Sequence, residues 1–302
     1  MFKKILISFS TPFSGPPTAD QMFGHIVWAV SDLRGEQCAS ELVSRFTENP
    51  PFLISAALPD GFLPVPMYAP SKPQDNTQEA RHNAKRFKKA KWVSLDAFAR
   101  IQRQPALFYK ENLLLKQPNL QPVLETHVSI NRLTGSVDQE SDSSLRNERY
   151  VYSYSSFVCY INILDMDFWN AFNMDEILEY LSAIGIGGNR NVGRGVCDVK
   201  LSSLSDIEEK VFSYTSSSFL TLSRCSGKDL LDSAIAYRVI GYAGIVGGGN
   251  TGLFNKKPII MFEVGSSFSA GKGALIQDIH PNNEIAYYCY AFPLYLDMED
   301  KP

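Results

Sequence analysis

The chain lacks the features that mark several large classes of protein. Its five cysteines are scattered, without a CxxC pair or a Cys/His cluster, which excludes a disulfide framework and a zinc site of the usual spacing. No stretch approaches the roughly 18 apolar residues of a membrane span, and the apolar run after Met1 is too short for a signal peptide. We therefore expect reduced thiols, a cytoplasmic location and no membrane partner.

Motifs of common enzyme classes are also absent from the sequence. It contains no HExxH, no GxSxG, no EF-hand loop and no Gly-Lys-Ser or Gly-Lys-Thr of a phosphate-binding loop. The carboxylates Asp165 and Asp167 form a DxD at the end of a predicted strand, a position that favours helix or turn capping. We therefore predict no catalytic residue, no metal and no cofactor, and we expect the protein not to be an enzyme.

The composition that is present is globular, with a local concentration of positive charge. Apolar residues make up 44% and charged residues 20% of the positions, which excludes a disordered chain. The length of 302 residues is typical of about two domains. The net charge is −3, yet the segment from Arg81 to Lys91 has six basic residues and no acidic one. Such a segment indicates a local anionic partner, with a solvated helix face as the alternative. Its candidate contact residues are Lys85, Arg86, Lys88 and Lys89.

Glycine is the second concentration. Two segments, 185–195 and 241–252, hold eleven of the twenty glycines, and the first of them also contains Arg190 and Arg194. The first segment follows a predicted helix and precedes a predicted strand, the reverse of the order that dinucleotide binding requires. Glycine amides can form an anion-binding concavity, and arginines grip phosphates in a forked geometry. We predict that this loop contacts a polynucleotide backbone; a flexible turn is the alternative, and it is favoured for 241–252.

Hydrophobic patterning predicts a repeated β-α-β order. We predict a helix that is capped by Asp20, a second helix that starts after Asn173 as in a capping box and stops at Gly185, and a helix at 227–237. Predicted strands are 4–10, 52–58, 150–164, 196–201, 218–222, 258–264 and 285–296. Residues 68–149 are polar and interrupted by prolines, and we interpret them as an insertion with one or two helices and mobile loops.

Without the insertion, the order β-α-β-β-α-β is that of the ferredoxin-like fold, which RNA-recognition (RRM) domains share. The predicted fold class is therefore α+β with two ferredoxin-like domains. Residues 1–205 form the first, with the insertion at about 68–149 and the glycine-rich loop. Residues 206–302 form a smaller, degenerate second domain.

Several polar and aromatic residues remain as candidates for RNA contacts. His127, Asn131 and Arg132 lie in the polar insertion, and His25 lies one turn into the first helix, where it is either partly buried or faces the glycine-rich loop. Tyr150, Tyr152 and Tyr154 alternate along a strand, which fits either a base-stacking platform or ordinary sheet packing.

A set of motifs in a fixed order gives the chain a family resemblance. The set comprises residues 19–29, the basic segment leading to Trp92–Phe98, the stretch from His127 through Asn131-Arg132 to Gly135, the glycine-rich loop, and Phe262–Phe268. The chain resembles the RAMP superfamily of CRISPR-associated proteins, and within it the Csm-complex subunit of type III effectors that binds the 5′ handle of the guide RNA (crRNA). It departs from the family at Asn191, Val192 and Arg194, where members often carry Ser or Phe.

The resemblance implies a non-catalytic role in antiviral defence. It implies binding of the crRNA 5′ handle, contacts with the large polymerase-like subunit and with a backbone RAMP subunit, and a thumb-like element within 68–149. The residues expected to contact RNA are Gly187, Gly188, Asn189, Arg190, Asn191, Gly193, Arg194, His127, Asn131, Arg132, His25, Lys85, Arg86, Lys88 and Lys89.

Other hypotheses fit parts of the same pattern. A repeat-processing endoribonuclease of this superfamily would use His25 or His127 as general base, although the sequence identifies no partner group. The corresponding subunit of another type III complex and a purely structural cap between two subunits are two further alternatives. A nucleotide-dependent enzyme is disfavoured, because no phosphate motif has the right context.

Overall fold

The computed structural model describes residues 1–67, 90–105, 107, 120–128, 130, 133–137, 145–244, 255–277 and 286–298. The helices of this part are α1 (Ala19–Arg34), α2 (Glu36–Glu48), α3 (Leu95–Ile101), α4 (Met166–Ala171), α5 (Met174–Ile184), α6 (Asp206–Phe212) and α7 (Lys228–Asp232). The strands are β1 (Phe2–Phe9), β2 (Phe52–Ile54), β3 (Leu58–Pro59), β4 (Phe62–Pro64), β5 (Trp92–Ser94), β6 (Leu120–Val128), β7 (Leu145–Ser153), β8 (Phe157–Ile163), β9 (Cys197–Ser202), β10 (Phe219–Thr221), β11 (Ala234–Ala236), β12 (Val239–Tyr242), β13 (Ile259–Phe262), β14 (Ser267–Phe268), β15 (Gly273–Ile276), β16 (Tyr287–Tyr290) and β17 (Pro293–Tyr295). The strand pairs among the described residues are antiparallel and occur together with helices, so the predicted α+β class is confirmed.

Strand β1 lies at the centre of the largest sheet. It pairs antiparallel with β8, where Ile5 lies opposite Cys159, and with β9, where Ile5 lies opposite Leu201. Strands β2 and β3 pair with the other side of β8, which gives the spatial order β2-β8-β1-β9. The four strands and the helices α1 and α5 follow the predicted β-α-β-β-α-β order, and α1 and α5 are in contact with each other.

Helix α1 begins earlier than its predicted cap. Thr18 occupies the N-cap, and its N–H donates to Oε1 of Gln21 at 3.1 Å; Asp20 lies in the first turn instead, so the prediction that Asp20 caps the helix is wrong. The Thr18-x-x-Gln21 spacing is a capping-box pattern. The helix buries an apolar stripe consisting of Met22, Phe23, Ile26, Ala29 and Val30.

Helix α2 was not predicted from the sequence. It follows Gly35 directly, and three of its described side chains are buried, Ala39, Leu42 and Phe46, at spacings of three and four residues. A stripe this narrow gives a weak periodic signal, because most of the helix surface is polar.

Helix α5 spans the predicted residues and ends at Gly185, as expected, with φ at +72°. It also starts directly after Asn173, as predicted, but the expected capping bond is absent, because the Asn173 side chain does not accept from a backbone amide. Its side-chain amide donates instead to Oε2 of Glu176 at 2.7 Å, and its backbone is left-handed. Asp165 does cap α4, since its carboxylate accepts from the N–H of Phe168 at 2.9 Å, which confirms the capping role predicted there.

The described part of the predicted insertion contains one helix, α3, and a long antiparallel hairpin formed by β6 and β7. The strand predicted over 150–164 is two strands, because the chain bends at residues 154–156, where the N–H of Ser155 donates to Oγ of Ser153 at 3.2 Å. The hairpin joins the rest of the fold through Phe13, which exchanges two backbone hydrogen bonds with Val151 at 2.8 and 2.9 Å.

The second half of the chain is rich in short strands. The predicted helix over 227–237 ends at Asp232, and β11 follows; the backbone carbonyl of Ser233 accepts from the N–H of Ser269, which draws the chain into a sheet with β14. Buried side chains from both halves form one cluster, in which the hydroxyl of Tyr288 accepts from the N–H of Ile54 at 3.0 Å.

The predicted division at residue 205 stays a prediction. In the described part of the chain, no helix has the length and apolarity to cross a membrane.

Candidate nucleic-acid interface

The glycine-rich loop runs from the end of α5 to the start of β9. Its middle forms one short helical turn over Arg190–Val192, flanked by Asn189 and Gly193 in left-handed conformations. The tip residues Gly188, Asn189, Asn191, Val192 and Gly193 are exposed. The loop therefore presents backbone to the surrounding solvent, as contact with a polynucleotide backbone would require.

The base of the loop is closed by a tight backbone approach. The N–H of Ile186 donates to the carbonyl of Gly195 at 2.9 Å, and the N–H of Gly195 donates to the carbonyl of Pro12 at 3.0 Å. A Cβ at Gly195 would overlap the carbonyl group of Ile186, and φ at this residue is +67°. Only glycine satisfies both conditions. The loop thus has a fixed neck and an exposed tip.

His25 of α1 forms a hydrogen bond to the neck of the loop. Its Nε2 accepts a hydrogen bond of 2.9 Å from the N–H of Gly187. Burial lowers the pKa of His25 to about 4, with a further contribution from the positive charge of Arg190. The imidazole is therefore neutral near pH 7, and both alternatives given for His25 hold, since it is partly buried and contacts the loop. Because Nε2 already accepts from a backbone amide, His25 is engaged in holding the loop.

Asn189 joins the loop to the hairpin. Its side-chain amide donates to Oε2 of Glu148 at 2.9 Å and to the hydroxyl of Tyr150 at 2.7 Å. The Tyr150 hydroxyl donates in turn to Glu148, and this bond lowers the pKa of the Glu148 carboxyl and raises that of Tyr150. The side chain of Asn189 is thus committed to β7, and its carbonyl accepts from the N–H groups of Val192 and Arg194 at 3.1 and 3.3 Å, which leaves its backbone N–H as the group open to a ligand.

Arg194 makes the second connection between the loop and the hairpin. Its guanidinium forms an ion pair with Glu125 of β6 and lies over the ring of Tyr150, with 5.2 Å between the guanidinium carbon and the ring centre. Its Nε is buried and has no hydrogen-bond partner among the described residues. Arg190, in contrast, forms no ion pair within the described ranges. Of the two arginines predicted to bind phosphate, Arg194 is therefore held by Glu125, whereas Arg190 has no ion-pair partner in the described ranges.

His127 lies on the same face of the hairpin. Its Nε2 is 3.6 Å from a carboxylate oxygen of Glu125 and 3.9 Å from one of Glu148. Glu125 and Glu148 are directly opposite each other in the register of β6 and β7, and Arg146 pairs with Glu148 at 2.8 Å. Two carboxylates at directly opposite cross-strand positions repel each other, so the stability of this face of the hairpin depends on the positive charges around it.

Tyr150 is buried beneath Arg194, which favours packing over base stacking for this residue. Tyr152 and Tyr154 contact each other at 4.9 Å between ring centres, and Tyr154 is 73% exposed. The three tyrosines therefore do not form one continuous platform, since the strand ends at Ser153 before Tyr154 is reached.

The structure brings together one subset of the predicted residues. His25, His127, and the loop residues from Gly187 to Arg194 meet at the junction of α1, the loop and the hairpin. Asn131, Arg132 and the basic residues Lys85, Arg86, Lys88 and Lys89 lie outside the described residues.

Glu125 and Glu148 were missed as site residues. The signal that would have found them is alternation: residues 123, 125 and 127 share one face with residues 146, 148 and 150. Neither strand of the hairpin was predicted with these limits, so the shared face was not visible in the sequence.

Comparison with known proteins finds likeness in structure and not in sequence. No protein-family model matches the chain, and no curated protein matches it. A chain in the crystal structure of the Csm1–Csm4 cassette in complex with AMPPNP matches with a TM-score of 0.66 at 18% identity, over 100% of both chains. The same cassette in complex with pppApA gives 0.66 at 17% identity, again over 100% of both chains.

A second assembly gives the same result. A chain of the Csm3–Csm4 subcomplex in the type III-A CRISPR–Cas interference complex matches with a TM-score of 0.68 at 14% identity, over 98% of this chain and 100% of that one. Csm4 is the component that the two assemblies share. From end to end, the chain has the fold of that Csm subunit, as the motif resemblance predicted.

Proposed function

We propose that this protein is a RAMP subunit of a type III CRISPR–Cas effector complex that binds the 5′ handle of the crRNA without catalysing a reaction. In this role it bridges the large polymerase-like subunit and the backbone filament, in the cytoplasm, during antiviral defence. The full-length likeness to chains in the Csm1–Csm4 and Csm3–Csm4 assemblies supports both partners. The strand order β2-β8-β1-β9 supports a ferredoxin-like first domain, because it is the fourth-first-third-second order of that fold.

The single observation that carries RNA binding is the loop with a fixed neck and an exposed tip. Its neck is tied to Pro12, Ile186 and His25, while the backbone at Gly188 and Asn189 is exposed. A backbone concavity that is held in place in advance can bind phosphate oxygens with little loss of conformational entropy. Arg190, which has no ion pair in the described ranges, supplies a positive charge beside it.

The proposal of a non-catalytic role rests on how the two candidate bases are used. His25 has its acceptor nitrogen bonded to the Gly187 amide. His127 has two carboxylates nearby, at 3.6 and 3.9 Å, which are beyond hydrogen-bonding distance. A general base needs an accessible nitrogen aligned with the substrate proton and an orienting partner.

Substitution of both loop arginines tests the proposal. R190A/R194A should weaken binding of a crRNA with its handle about tenfold or more, and should reduce the slope of log affinity against log salt by about 0.7 for each phosphate that is no longer neutralised. The control R34A/R238A removes the same two charges from exposed ion pairs elsewhere, with Glu176 and Glu263. Fluorescence anisotropy with the crRNA and with the same RNA lacking its handle measures both effects. Equal affinity of the two RNAs for the wild-type chain would refute handle recognition.

The endoribonuclease hypothesis keeps one observation in its favour, the position of His127 beside Glu125 and Glu148. A small movement would convert these approaches into the histidine–carboxylate hydrogen bond of a general base. Incubation of repeat-containing precursor RNA with the protein in EDTA separates the two functions. Intact RNA supports the non-catalytic role, whereas a cut that disappears in H127A and persists in H25Q would establish the nuclease.

A further inference from the structure

The loop arginine Arg194 is already bound by an anion of the protein itself. Glu125 holds its guanidinium, and both side chains are about three-quarters buried. A carboxylate and a phosphate offer an arginine the same forked pair of acceptor oxygens. The position that a phosphate would take on Arg194 is therefore filled by Glu125.

The two carboxylates of the hairpin are not held equally. Glu148 is bound by Tyr150, Asn189 and Arg146. Glu125 has Arg194 as its ion-pair partner among the described residues, apart from His127 at 3.6 Å. Glu125 is thus the carboxylate that an incoming anion can displace.

Displacement of Glu125 has a cost that depends on the ligand. A phosphate on Arg194 would leave the Glu125 carboxylate poorly solvated, opposite Glu148 and close to a third negative charge. The buried Nε of Arg194, which has no partner in the described part of the chain, would gain an acceptor in exchange. A polyanion that contacts Arg194 alone gains too little, whereas an RNA with several further contacts can offset the loss.

We propose that Glu125 competes with RNA phosphate for Arg194: while it holds the guanidinium, an RNA must displace it before Arg194 can contact a phosphate. This inference rests on the proposed function.

The test compares E125Q with the wild-type chain on two single-stranded RNAs, a crRNA with its handle and an oligouridylate of equal length. Glutamine keeps the size of the side chain and removes its charge. E125Q should bind both RNAs about fivefold more tightly, the size expected for loss of one competing charge pair. E209Q is the matched control, because it removes the same charge from an exposed position on α6.

A second variant shows whether the effect passes through Arg194. In an R194A background, E125Q should no longer tighten oligouridylate binding, because the arginine that Glu125 guards is gone. The same tightening in that background, or in E209Q, would mean a general charge effect and would overturn the inference. So would an E125Q variant that binds oligouridylate no better than wild type while the wild type still binds crRNA through its loop arginines. A wild-type chain that binds neither RNA would instead refute the proposed function, and the inference with it.

Discussion

The amide of Gly187 donates a 2.9 Å hydrogen bond to Nε2 of His25, across 162 positions of sequence. Through this bond, the first helix of the chain supports a loop that follows the fifth helix. An acceptor nitrogen is available only on the neutral imidazole. The protonation state of one partly buried histidine and the position of the candidate RNA-binding loop are therefore linked.

We expect the stability of the protein to fall as the pH is lowered from about 6.5 to about 4. The pKa of His25 is depressed from its ordinary value of 6.5 to about 4 in the folded state, so in this window the unfolded chain binds a proton that the folded chain does not. The contribution of His25 to the free energy of unfolding is fully present above pH 6.5 and decreases progressively below it. Urea unfolding at several pH values measures the effect. H25Q, whose amide oxygen can accept from Gly187 without titrating, should show a shallower dependence; an unchanged profile would contradict the assignment.

Replacement of Gly195 by alanine should disrupt the neck of the loop, since the new Cβ would overlap the Ile186 carbonyl group. Gly193 provides a matched control, because its φ of +79° is similar and no atom lies within 4 Å of the position that a Cβ would occupy there. We expect G193A to cost about 1–2 kcal/mol of unfolding free energy, from backbone conformation alone, and G195A to cost clearly more. Thermal and urea unfolding of both variants give the comparison. Equal losses would show that the neck does not depend on close backbone approach.

Removal of the Tyr150 hydroxyl should loosen the connection between the loop and the hairpin. That hydroxyl bonds both Glu148 and Asn189 in a buried position, so we expect Y150F to cost about 1–3 kcal/mol. Amide hydrogen exchange should also accelerate at residues 187–194. Y154F, at a tyrosine that is 73% exposed, should change neither quantity. Unchanged exchange in Y150F would mean that the other contacts of the loop, with His25, Glu125 and Glu148, hold it without the Tyr150 hydroxyl.

The five free cysteines should differ sharply in reactivity. Four are buried and Cys38 is half-buried. Burial raises the pKa of both Cys197 and Cys225 to about 12, and it also raises those of Cys159 and Cys289, so these thiols are neither ionised nor accessible. Titration of the native protein with a thiol-specific disulfide reagent should label about one thiol quickly, and all five after denaturation. C38S should abolish the fast phase; its persistence would contradict the buried placement of the others.

The elements that the sequence predicted well are those whose signal is local. Helix α5 carries a regular apolar stripe and a terminal glycine, and both of its limits were close to the prediction. The strand at 150–164 was misjudged because β-propensity continues through a bend that serine side chains make. The helix predicted over 227–237 stopped early because pairing of the chain with β14 prevailed over local helical propensity.

The candidate site shows the same division. The glycines and arginines of the loop stand together in the sequence, so their shared location was predictable. The partners of Arg194 and Asn189 lie in β6 and β7, 69 and 41 positions away. Their contact depends on the register of a hairpin within a polar, proline-rich region, where periodicity gives little indication of strands. Long-range pairing of this kind is set by the whole fold.

The hydroxyl groups of Tyr288 and Tyr290 bond to backbone groups of Ile54 and Phe46, 234 and 244 positions earlier in the chain. During translation, the aromatic cluster around Phe46 therefore cannot be fully covered before residues 288 and 290 have been synthesised. Until those residues have been synthesised, the growing chain leaves this apolar surface uncovered. It is therefore prone to aggregation over most of its synthesis.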